Sequence, residues 1–153
     1  MPDSVREQLL MRMEAVFEAV TVADSGGGTI WGRVLSSPYS GREKSGQNIL
    51  SIVEGNESYI DVVSPDKRDR SLEVDLQTRV YVPLNTKPRA HANSVLADIE
   101  EIVERNCHWN GMAYATFLLA NSVEREDTAD RNIEISVFLS IRYRTKRTDP
   151  RAR

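Results

Sequence analysis

The sequence predicts an α+β protein, a two-layer sandwich in which a mostly antiparallel sheet carries two helices packed on one face. Three observations lead there. Residues 72–82 alternate, with Leu72, Val74, Leu76, Thr78, Val80 and Val82 on one side of an extended chain and Glu73, Asp75, Gln77, Arg79 and Tyr81 on the other. Side chains alternate faces in a strand, so this is a strand with one core face and one wet face. Residues 132–145 repeat the pattern, with Ile133, Ile135, Val137, Leu139, Ile141 and Tyr143 inward and Glu134, Ser136, Ser140, Arg142 and Arg144 outward; only Phe138 breaks the polar side. Two further stretches space their apolar residues by three and four, as amphipathic helices do. Such alternation favours antiparallel pairing, and the helices then share the greasy face.

Ser4 and Glu7 form a capping box, and Val5, Leu9, Leu10, Met13, Val16, Phe17 and Val20 make the apolar stripe of a first helix over residues 5–20. Gly26, Gly27 and Gly28 follow as a turn. Residues 29–36, with Ile30, Trp31, Val34 and Leu35, read as a strand, and residues 37–48, rich in Gly, Ser and charge, as a mobile loop. Residues 49–53 and 59–63 read as two short strands of a hairpin turning at Glu54–Gly55–Asn56–Glu57, and residues 64–69 as a polar turn. After the strand at 72–82, Pro88 suits a helix start, and Val95, Ile99, Ile102 and Val103 form the stripe of a second helix. Asp98, Glu100, Glu101 and Glu104 are assigned to its solvated side. Asn106, Asn110 and Gly111 mark the helix exit, and residues 113–123 favour a strand.

With 153 residues, 40% apolar and 28% charged, the chain fits one domain over residues 1–145 and a loose basic tail over 146–153. No apolar run reaches membrane-spanning length, and the signal-peptide pattern is missing. Cys107 is the sole cysteine, which points to a reducing cytosol. A net charge of −3 gives no general drive toward nucleic acid, although Arg142, Arg144, Lys146, Arg147, Arg151 and Arg153 crowd the end.

The sequence offers no catalytic set. Gly26–Gly28 lack the Lys-Ser/Thr of a phosphate-binding loop; they could present N–H groups to an anion, but a plain turn accounts for them. His91 and Cys107 stand about 24 Å apart along one helix at ~1.5 Å per residue, so they cannot share a site. The expectation is therefore a non-enzyme with no metal and no cofactor.

The order of elements resembles the tail terminator proteins of long-tailed bacteriophages and related tail-like particles. The resemblance is carried by the first helix with its glycine turn, by the unit from Leu72 through Pro88 to Val103, and by the closing pair of strands over residues 112–123 and 133–143. It implies a virion protein of the tail, assembled in the host cytoplasm. It also implies self-association into a ring of six on the head-proximal end of the tail tube. Such a ring halts tube polymerisation and docks the head connector, and DNA passes through its lumen without specific binding. Other head–tail joining proteins share such folds. The contact residues expected on this basis are Arg42, Glu43 and Lys44 in the loop, Tyr81 and Phe138 on the sheet, and Arg142 and Arg144 at the end. Two other classes remain open. One is a small-molecule-binding domain with a deep polar pocket. The other is a nucleic-acid-binding module using the basic terminus.

Overall fold

A computed structural model of the chain describes residues 3–21, 26–36, 48–60, 64–125 and 131–153. The element order is α1 (Val5–Glu18), β1 (Arg33–Leu35), β2 (Ile49–Tyr59), β3 (Lys67–Tyr81), α2 (Pro88–Arg105), β4 (Ala115–Arg125) and β5 (Asn132–Lys146). The strands form one sheet in the order β1-β2-β3-β5-β4. Every pairing is antiparallel except β1 with β2, which is parallel. The molecule is thus the predicted α+β sandwich, with both helices on one side of the sheet.

Alternation places Leu72, Val74, Leu76, Thr78 and Val80 of β3 beside Ile141, Leu139, Val137, Ile135 and Ile133 of β5, all buried under the helices. α1 contributes Val5, Leu9, Leu10, Met13 and Phe17 to this core, and α2 contributes Ala92, Val95, Ile99, Ile102 and Val103. The Phe17 ring meets Trp31 edge-on at 5.5 Å and leans on Trp109 at 6.3 Å, which joins α1 to both flanking turns. The exit from α2 uses three successive left-handed residues, Trp109, Asn110 and Gly111. Asn and Gly tolerate that conformation. Trp109 is held in it by full burial and by its indole N–H, which donates to Thr116 Oγ1 at 3.0 Å.

Several expectations change, among them the strand expected over residues 29–36, which shortens to Arg33–Leu35. The hairpin turn expected at Glu54–Gly55–Asn56–Glu57 is instead part of one strand, β2, which pairs with β3 and breaks register between Glu54 and Glu57; residues 61–63 of the second expected strand lie outside the described residues. A Cβ on Gly55 would lie 3.2 Å from Glu73 Cβ, so the glycine serves the bulge's close approach to β3. The polar turn at 64–69 is shorter than expected, because β3 already begins at Lys67. Asp98, assigned to the solvated side of α2, is 2% exposed.

A further change concerns residues 146–153, expected to run loose. They turn back on the domain. Lys146 N–H donates to the Ala152 carbonyl at 2.7 Å, Arg147 N–H to Asp66 O at 2.7 Å, and Val5 N–H, in the first turn of α1, to Pro150 O at 3.2 Å. The guanidinium of Arg153 reaches the carbonyl of Gly111. These bonds use backbone groups, which the basic composition of the segment does not reveal.

Candidate assembly interface

The outward positions of the sheet form a face on which, among the described residues, no element packs. Pairing sets its rows. Ser71, Arg142 and Ala115 lie abreast on β3, β5 and β4. Below them come Glu73, Ser140 and Phe117, then Asp75, Phe138 and Ala120, then Gln77, Ser136 and Ser122, and then Arg79, Glu134 and Glu124. Leu119 sits in a bulge of β4. Phe117, Leu119 and Phe138 are 44%, 56% and 38% exposed, so the middle of the face is an apolar patch open to solvent. Glu73 and Asp75 border it in a shallow groove with Gly55, Leu119, Ala120 and Phe138. A second open groove, lined by Ser51, Gln77, Arg79, Ser122, Glu134 and Ser136, lies toward the other end.

Electrostatics differ between these rows. Asp69 receives the Arg144 guanidinium at 2.6 and 3.2 Å and the Tyr114 hydroxyl at 3.2 Å. The Arg144 bond holds the Asp69 carboxyl below its ordinary range, against the opposing effect of burial. Arg144 also lies 5.6 Å from the Tyr114 ring centre. Arg142 is placed differently: its guanidinium lies 5.0 Å over the Phe117 ring and meets no carboxylate partner among the described residues. Asp75 accepts from Gln77 Nε2 at 2.8 Å, yet burial pushes its carboxyl up. On the helix side, Tyr143 donates to Glu57 and its phenol is raised, by burial first and then by that carboxylate.

Of the residues expected to make contacts, Phe138 and Arg142 share this face, Phe138 at its centre and Arg142 two rows away. Arg144 is on the same face but is committed to Asp69. Tyr81 is at the far end of β3, half-buried, its N–H donating to Asn48 Oδ1 at 3.1 Å. Arg42, Glu43 and Lys44 lie outside the described residues. Phe117 and Leu119 belong to the patch and are not among the contact residues the sequence singles out. The signal was there: Phe117 falls on the outward side as soon as β4 is paired with β5, but that register follows from the bulge at Leu118–Ala120 and not from spacing. Among the described residues, no group of three or more His, Cys, Asp or Glu side chains could hold a metal ion, and no helix is long and apolar enough to cross a membrane.

No family model matches this chain. No curated protein matches it either. Among solved structures, a chain from the "Virion of native gene transfer agent (GTA) particle" is similar to it, at 12% identity and a TM-score of 0.38 over 92% of each chain. A likeness of that degree assigns neither family nor role, and the face described above is characterised by its own chemistry.

Proposed function

We propose that this protein is a structural subunit of a phage-like particle, and more finely a tail terminator that caps the head-proximal end of a tail tube. One observation carries the reading: the sheet presents an open face with an exposed aromatic and aliphatic centre, Phe117, Leu119 and Phe138, rimmed by charge. Apolar centres with polar rims are what protein interfaces bury, and hot spots cluster in such centres. The element order resembling terminator proteins supplies the finer role. The gene transfer agent particle is also a virion, but the reading does not lean on it. In this role the face binds protein, with apolar burial supplying affinity and rim charges excluding wrong partners. Ring formation is head-to-tail and closes on rotation.

The test is made with purified tail tube. The protein is expected to bind tube ends and arrest elongation, so that tubes polymerised with it stay short in electron micrographs. Phe138→Glu is expected to lose that arrest while keeping its fold, as seen by circular dichroism. Tubes that grow equally long with and without the protein would refute the terminator role.

A further inference from the structure

We propose that two copies of this chain pair, open face to open face, about a two-fold axis through Phe138. The outward side of β5 reads Glu134, Ser136, Phe138, Ser140, Arg142. Residue size is the same on either side of Phe138, and charge is opposite at the two ends. Two such strands laid antiparallel across a two-fold axis are self-complementary. Phe138 meets its own copy, Ser136 meets Ser140 of the second copy, and Glu134 meets Arg142 of the second copy, twice over.

The neighbouring strands agree in sign. The row of Glu134 holds one cation, Arg79, and two carboxylates, Glu134 and Glu124, a net of −1. The row of Arg142 holds that cation with Ser71 and Ala115, a net of +1. Glu73 comes opposite Gln77 of the second copy, an acceptor facing an amide donor. Asp75 alone comes opposite its own like charge, and this opposes the pairing. Arg142 lies 5.0 Å over Phe117 with no ion pair to break, and Glu134, which keeps a partner within its own chain, takes it as an additional one. Arg144, tied to Asp69, lies beyond these matched rows.

Size is adequate. Four strands, β2 to β5, the shortest 11 residues long, cover about 700 Å² in projection at ~4.8 Å between strands and ~3.3 Å per residue. A standard interface buries about 800 Å² per partner. Sheets packed face to face lie about 10 Å apart with interdigitating side chains, which accommodates paired aromatics.

This pairing does not require the virion reading, but it uses the same face, so two copies paired in this way must part before that face meets a particle. The pairing is isologous, whereas a ring seam is head-to-tail, and a residue in a head-to-tail seam never meets its own copy. The test uses the whole chain in a Cys107→Ser background. Phe138→Cys is expected to give a covalent dimer with a short bis-maleimide cross-linker, and Tyr59→Cys, more accessible at 64% against 38% exposed but off this face, to give none. By light scattering, Glu134→Arg alone and Arg142→Glu alone are expected to be monomeric. Mixed in equal amounts they are expected to dimerise, since each supplies what the other lacks. Asp75→Asn is expected to tighten the parent dimer. Three results would each overturn the pairing: a monomeric parent, Phe138→Cys linking no better than Tyr59→Cys, or a monomeric mixture. A ring in which Phe138→Cys does not link would overturn it while leaving the terminator role intact.

Discussion

At the scale of single residues, Asp98 shows best how composition misleads. On α2 it stands among Glu100, Glu101 and Glu104, and an acid in acidic company reads as surface. Its spacing says otherwise, because it lies three residues after Val95 and four before Ile102, within the apolar stripe. A buried carboxylate needs donors, and it finds them in the glycine turn: Gly27 N–H at 2.6 Å and Thr29 N–H at 3.1 Å. The anion those glycines receive belongs to the protein itself. A Cβ on Gly27 would fall 2.5 Å from Ser94 Oγ and 2.8 Å from the Asp98 oxygens. Asp98→Ala is therefore expected to cost about 3 kcal/mol in urea unfolding, since it strands buried donors. Gly27→Ala should also destabilise, and a midpoint unchanged in either variant would mean the latch contributes nothing.

Asp75 and Asp69 carry opposite pH signatures. Folding raises Asp75 through burial, so the folded state holds that proton more tightly than the unfolded chain. Stability tied to it is complete at low pH and is lost as pH climbs through the unfolded value, about 3.9, to the folded value above it. Asp75→Asn is expected to stabilise the fold at pH 7, with the gain gone near pH 3, in thermal melts across that range. Asp69 is lowered by Arg144, so its contribution is present above the ordinary carboxylate value and fades as pH falls through the folded one.

At the scale of elements, what the sequence made legible and what it hid divide along a physical line. β3, β5 and both helices were legible because each buries one face, and burial imposes a period. β2 was hidden because its second half leaves the core: Glu54, Gly55, Asn56, Ser58 and Tyr59 are exposed, and a bulge carries the polar run that looked like a hairpin turn. β1 kept only three residues, since Ile30 is exposed and Trp31 turns into the core ahead of it. Within the candidate interface, Phe138 could be picked out because it interrupts an alternating polar side. The patch around it could not, because adjacency across strands is a property of register. The terminal segment is hidden for a third reason: its anchors are main-chain bonds, and a stretch of arginines says nothing about where its carbonyls point. Removing residues 147–153 is accordingly expected to destabilise the fold by about 1–3 kcal/mol. The acceptor for Val5 N–H and the bond to Asp66 go with them. Equal urea midpoints for the full and shortened chains would count against that anchoring.

At the scale of the whole molecule, the division between a crowded helix side and an open sheet side organises the chemistry. The helix side holds the aromatic contacts of Phe17, Trp31 and Trp109 and the ion pairs of Arg6 and Arg70 with Glu54 and Glu57. The sheet side offers Phe117, Leu119 and Phe138 with acids on one border and Arg142 on another. Association through that side, whether in a particle or between two free copies, needs no rearrangement of the core. Because the amide of Val5 reaches the carbonyl of Pro150, the start of α1 and the segment after β5 share one corner of the fold. Two domains fused ahead of Val5 and after Pro150 would therefore sit side by side at that corner.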